Sequence, residues 1–269
     1  YSFNRWESAQ NAFVHFFKKQ MQFLATQNSS QKVTQGGSKD SAFELMKNSE
    51  FNLYLNSLAA ILESNQLDPF IKAHLMHTPS FAYLLQQVGE LHPVNFLQAK
   101  NDLESQIATH LENQLLKIYQ DLSKVIQNDY SNVSIGQRRL KYLCLSYLSQ
   151  IEKYEHLVKE ALVKAQTMTD LFSAFSIAVD LSKDLRNFAI QYFYEKWQHD
   201  SLVMNKWFSV QASSLHQDTF ETVSQLWSHK DFNKQNPNKV YSLLRNFGIN
   251  LIRFNDQPEK TYTFLAGKV

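Results

Sequence analysis

Six glycines and five prolines are all that interrupt a chain of 269 residues, where an average chain of this length carries roughly three times as many. Sandwiches and barrels turn every few residues and need Gly and Pro to do so. The scarcity therefore argues against an all-β fold and a disordered tail, and for long helices. Periodicity agrees. Trp6, Phe13, Phe17, Met21 and Leu24 recur at helical spacing with Lys18, Lys19 and Gln22 between them, which predicts a helix from Asn4 to Gln27. Asn28 to Lys39 is polar and holds Gly36-Gly37, a loop composition. A second helix is expected from Asp40 to Glu63, with Phe43, Met46, Phe51, Tyr54, Leu58 and Ile61 inward.

Three prolines then punctuate the chain, Pro69, Pro79 and Pro93. The first turn of a helix tolerates proline because its missing N–H has no intrahelical partner there, so helices are predicted to start at Asp68, Pro79 and Pro93. The third opens the longest periodic segment, through Leu103, Ile107, Leu111, Leu115, Ile118, Leu122 and Val125. After a turn at Asn128–Ser134 come expected helices at Gly136–Ser149, Lys153–Gln166, Thr169–Lys183, Asp184–Gln198, Ser201–Ala212, Thr219–His229 and Pro237–Phe247. Short loops force neighbouring helices to run antiparallel. The expectation is thus an all-α chain, an α-solenoid-like array of antiparallel helix pairs without a fixed-period sequence repeat. We read one helical domain over 1–269, its first part reaching about residue 130 and a more repeat-like part covering about 131–269.

Charge excludes more than it suggests. Lys plus Arg number 27 against 25 Asp plus Glu, and the signs are interspersed, whereas a nucleic-acid binder concentrates positive charge on one face. The densest basic group, Arg138, Arg139 and Lys141, reads as a solvated helix face. No stretch of 18 apolar residues is present to span a membrane. The start, Tyr1-Ser2-Phe3-Asn4, has neither Met nor a signal-peptide pattern and reads as the middle of something larger. Cys144 is the only cysteine; it cannot make an internal disulfide, which fits a reducing compartment and a cytoplasmic protein. Its apolar setting, Leu143-Cys144-Leu145, predicts a buried, inert thiol.

Motifs for chemistry are missing. None of the nine histidines is followed by Glu, so the helical zinc-protease motif His-Glu-x-x-His is absent. His74 and His77 share a spacing that could place them on one face, but two histidines are half a metal site; they read as a helix-end pair. Gly36-Gly37 lacks the Lys-Ser/Thr of a phosphate loop. The unusual feature is aromatic: Tyr192-Phe193-Tyr194-Glu195-Lys196-Trp197, then Met204-Asn205-Lys206-Trp207-Phe208. Large rings on more than one face predict helices buried from several sides.

That segment also carries a resemblance. Tyr194-Glu195-Lys196-Trp197-Gln198, Leu202-Val203-Met204-Asn205-Lys206-Trp207-Phe208 and Gln211-Ala212 resemble the C-terminal helical domain of bacterial M1 (gluzincin) zinc aminopeptidases. Met168-Thr169-Asp170 is similar to the family's helix opening, with Thr167 where the family has Asn. Phe232, Asn236-Pro237-Asn238-Lys239 and Ser242-Leu243 look like its Asn-Pro-Asn helix start. Arg5-Trp6-Glu7-Ser8-Ala9-Gln10, Leu67-Asp68-Pro69 and Tyr262-Thr263-Phe264-Leu265-Ala266 fit in the same order.

The resemblance implies a piece of a larger enzyme, truncated at both ends, with the zinc ligands and catalytic Glu in a preceding thermolysin-like domain. No cofactor is then expected in this chain itself, and zinc only in the parent. The expected partners are the parent's own N-terminal catalytic domain and short peptides, with no nucleic acid and no membrane. The implied role is non-catalytic: a helical bowl that caps the active-site chamber and restricts access. The alternative is a stand-alone α-solenoid that binds a protein or peptide. One candidate substrate-channel site follows, Asn236, Asn238, Lys239 and Tyr241: a capped helix start whose amides, with Lys239, could hold a peptide carboxylate. The competing reading is an ordinary capped helix with a solvated lysine, and Tyr241 stands where the family pattern leads one to expect arginine.

Overall fold

The computed structural model describes residues 2–30, 48–125 and 129–268, and among these there is no strand. The fold is all-α. No described helix is long and apolar enough to cross a membrane. By packing, the chain divides into two compact units, Tyr1–Glu155 and His156–Val269. This division falls beyond the one near residue 130 drawn from sequence, because the helix after that point packs on the helices before it.

In the first unit, α1 (Ser2–Ser30) runs through the start of the expected loop. The remainder of that loop and the expected helical start with Phe43 and Met46 lie outside the described residues. Helix α2 (Ser49–Glu63) begins where Asn48 Oδ1 accepts the amides of Glu50 and Phe51 at 2.9 and 3.3 Å. Its buried stripe is Phe51, Leu55, Leu58 and Leu62, one position round from the expected face, which leaves Tyr54 and Ile61 at the edge. Helix α3 (Pro69–Met76) is capped by Asp68 with proline in the first turn. Pro79 differs: it precedes Ser80, whose hydroxyl caps α4 (Phe81–Val88). A side-chain acceptor one residue later sets the start, and Pro79 only restricts the approach.

The long periodic segment is two helices, α5 (Pro93–His110) and α6 (Glu112–Ser123), hinged at Leu111. The apolar stripe crosses the hinge unbroken through Leu103, Ile107, Leu111 and Leu115, and Tyr119 rather than Ile118 completes it. Helix α7 (Asn132–Leu148) starts at a Ser131 cap, four residues earlier than the sequence suggested. It packs on α3 and α6. Arg138, Arg139 and Lys141 on it are not simply solvated. Arg138 is buried and donates to the Asp129 carbonyl at 3.0 Å, Arg139 lies over the Phe70 ring, and Lys141 over Tyr142. Cys144 is fully buried and its thiol is pushed up to about 12 by that burial, which makes it inert at neutral pH. A one-turn 3₁₀ helix, Glu152–Tyr154, ends the unit.

The second unit contains α8 (Glu155–Val163), α9 (Met168–Ala178), α10 (Lys183–Trp197), α11 (Ser201–Ser213) and α12 (Thr219–Leu226). Then α13 (Pro237–Val240) passes into a π-helical segment, Tyr241–Arg245, and a last turn α14 (Asn246–Gly248). Two further helices, α15 (Leu251–Asp256) and α16 (Pro258–Ala266), were not anticipated; their apolar periodicity is too short to read. The core stacks Phe175 on Phe193 with centroids 4.6 Å apart. Buried Arg186 fastens it, donating to the Val179 carbonyl at 2.7 Å, Ser214 Oγ at 2.8 Å and Thr222 Oγ1 at 3.1 Å. Ser214 Oγ in turn donates to Asp180 Oδ1 at 2.6 Å.

In the first unit, Gly136 is the tightest point. A Cβ there would lie 2.8 Å from the Phe70 backbone nitrogen, and backbone cannot step aside as a flexible side chain can. Gly136→Ala should therefore cost roughly 1–3 kcal/mol, read as a lower urea midpoint with an unchanged slope, although alanine is the better helix former.

Candidate functional site

The aromatic segment singled out in the sequence becomes the packed junction of α10, α11 and the loop after α12. Asp200 Oδ1 caps α11 through the amides of Leu202 and Val203 at 2.9 and 3.0 Å, which sets the rotation of that helix. Trp207 and Phe208 are then buried, and the Trp207 indole N–H donates to the Ile190 carbonyl at 3.0 Å. His229 sits among three rings, 5.5 Å from Tyr194, 5.3 Å from Trp207 and 5.9 Å from Phe208. Tyr194 donates its hydroxyl to Asp231 Oδ2 at 2.7 Å. The Asp231 amide donates to His229 Nδ1 at 3.2 Å, so the neutral ring carries its proton on Nε2.

Lys239 completes this junction from the other side. Its side chain is buried, with the ammonium 5.2 Å from the Phe208 centroid and donating to the Ser201 carbonyl at 3.3 Å. The last turn of no helix would supply that carbonyl with a partner, since Ser201 begins α11; the lysine reaches it from across the sequence. Burial pulls the ammonium below the usual lysine range, with Asp231 opposing. Burial likewise pulls His229 down, against the pull of Asp231.

The four residues named from sequence are not gathered round one point. Asn236 is the cap, its Oδ1 accepting the Asn238 amide at 3.0 Å, with Pro237 in the first turn. Asn238 and Tyr241 are exposed while Lys239 is buried. The helix they start is only four residues long before the π segment. The sequence signalled Tyr194, Trp207 and Phe208 by their crowding but gave no sign of His229 and Asp231, which join them only through the fold.

His74 and His77 also part company. The His74 ring stacks on Trp6 with centroids 5.5 Å apart, and His77 Nδ1 lies 2.7 Å from the Thr78 carbonyl. Among the described residues no group of three or more His, Cys, Asp or Glu is placed to hold a metal ion. The donors present here therefore do not fit a zinc site.

Two outcomes follow. Lys239→Ala should lower stability by about 2 kcal/mol through the lost stem and cation–ring contact, with Lys239→Met retaining more than half, both read by urea denaturation. His74, His216 and His229 all have their protonation depressed, burial being the largest cause in each. Below pH about 6.5 the unfolded chain takes up these protons before the folded one does. Stability should therefore fall as pH drops from about 7 toward 5, and His229→Gln should flatten that slope.

Comparison with known proteins agrees with the fold. Over 216 residues the chain is 31% identical to aminopeptidase N of Escherichia coli, covering 78% of this chain and 24% of that protein. It is 30% identical to aminopeptidase N of Haemophilus influenzae over 215 residues, covering 79% of this chain and 24% of the other. The chain thus spans about a quarter of the length of these relatives. Its fold matches a crystal structure of Legionella pneumophila aminopeptidase A in complex with aspartic acid, with TM-score 0.79 and 23% identity over 99% of this chain and 30% of the other. The family described as a domain of unknown function with ARM repeats, DUF3458_C, matches residues 2–269, and the chain belongs to it.

Proposed function

We propose that the chain is the helical C-terminal domain of a zinc-dependent M1 aminopeptidase, a part that breaks no bond itself and closes the chamber around the active site of the same polypeptide. The likeness to aminopeptidase N over 216 residues carries this reading, and the family match from residue 2 to residue 269 supports it. The physical case rests on stiffness and water. Helices fastened to one another by buried polar side chains, as at Arg186, make a wall that keeps its shape. A chamber narrower than a folded protein admits only short or unfolded peptides, which suits an exopeptidase. Excluding bulk water also strengthens the electrostatic grip on a substrate's charged end.

Zinc belongs, on this reading, to the catalytic domain, where it would act as the Lewis acid; the residues of this chain supply none of its ligands. Within the segment Asn236–Tyr241, Asn238 and Tyr241 are the exposed members able to meet a peptide in the channel. Asn236 and Lys239 fix the segment in place. The lone Cys144 suits a cytoplasmic parent.

The test is direct. The purified chain should release no amino acid from aminoacyl arylamides and retain no stoichiometric zinc after dialysis, and the coding sequence upstream should encode His-Glu-x-x-His followed by a second Glu. Hydrolysis by the chain alone would overturn the reading. An upstream sequence without that motif would favour the peptide-binding scaffold instead.

A further inference from the structure

The first unit holds a crevice of about 330 Å³ whose walls come from α1, the α3–α4 connection and α7. Its polar groups share a sign. Arg139 from α7, His74 from the last turn of α3 and His77 just beyond it face it, and its walls include no carboxylate. Arg139 is exposed, held only by the Phe70 ring 5.0 Å from its Cζ, and has no hydrogen bond or ion pair among the described residues. The Tyr83 hydroxyl, on α4, is likewise unpartnered there. Glu104, the acid that approaches from behind through Thr78 Oγ1 at 2.5 Å, is engaged by Lys100. One wall is flat: the Trp6 and His74 rings lie 13° from coplanar. The His74 imidazole is held below its ordinary range by burial, then by Arg139 and His77, an independent sign that positive charge here is uncompensated.

Free guanidinium forks bind planar oxyanions in pairs of parallel hydrogen bonds, and the volume lies at the small end of ligand pockets. We propose that this crevice is a binding site for a small organic oxyanion, a carboxylate or phosphate monoester on a planar ring. Arg139 grips the anion, His74 and His77 add donors, and the ring lies against Trp6. The site stands apart from the peptide channel proposed above, since all its groups belong to the first unit.

Phenyl phosphate and benzoate are the probes, with inorganic phosphate and phenol as partial ligands, titrated into the chain while the His74 and His77 ring protons are followed by NMR. Phenyl phosphate or benzoate should shift both rings and raise the His74 titration midpoint; whichever binds more tightly identifies the anion. Inorganic phosphate should bind more weakly and phenol not at all. Arg139→Gln should weaken binding by about tenfold or more, Arg139→Lys should recover part of it, and Trp6→Leu should lose the advantage of the ringed probes. The idea is overturned if neither ringed anion moves the histidines, if phenol binds as well as they do, or if Arg139→Gln binds unchanged with its circular dichroism intact.

Discussion

Every helix leaves its final carbonyls without an internal partner, and an all-helical chain with short connections must bury many of those ends. This protein answers them with long polar side chains sent from distant parts of the sequence. Gln10 reaches the His77 carbonyl, Tyr147 that of Met76, and Lys72 that of Leu62. In the second unit Arg186 reaches Val179, Asn250 reaches Ala212 and Ser214, and Arg253 reaches Leu215. Each junction leaves a costly buried acceptor satisfied. The apolar stripes decide which faces meet, but these bonds decide where each helix stops and how the next one leaves it.

The same logic explains Lys239. A lysine after an Asn-Pro-Asn cap looks in sequence like a solvent-facing cation at a helix start. In the structure its stem fills space over Phe208 and its ammonium serves a carbonyl at the beginning of α11. A cation can be buried where a ring face and a carbonyl replace part of its hydration. Its neighbour His229 is neutral for a related reason: three rings surround it, and Nδ1 is already occupied by an amide.

Most of the helices were legible because local chemistry sets them. Asp68 with Pro69 fixes one start, Asp200 another, and the stripe through Leu103, Ile107 and Leu115 survives any error of boundary. Misplacements have local causes too. Pro79 was outranked by the Ser80 hydroxyl, and Leu111 breaks a helix without breaking its hydrophobic face. Arg138 could not be recognised as buried, because its partner is the carbonyl of Asp129 and a backbone group leaves no mark in sequence. The histidine and aspartate beside Tyr194 were invisible for want of any spacing rule joining residues 35 or more positions apart. The flat, positive crevice was equally hidden: Trp6, His74 and Arg139 come from three separated stretches, and only their packing makes one surface of them.

Fastening each joint with a different long-range bond has an evolutionary corollary. In an idealised repeat array a helix pair can be duplicated, dropped or exchanged, because each unit meets its neighbours through the same generic face. Here, removing α10 would strand the Val179 carbonyl and Ser214 together, and importing a pair from elsewhere would arrive without the matching arginine. Such a chain drifts residue by residue while its number and order of helices stay frozen, which accounts for how an ancestral repeat can fade from the sequence while the stacked architecture endures.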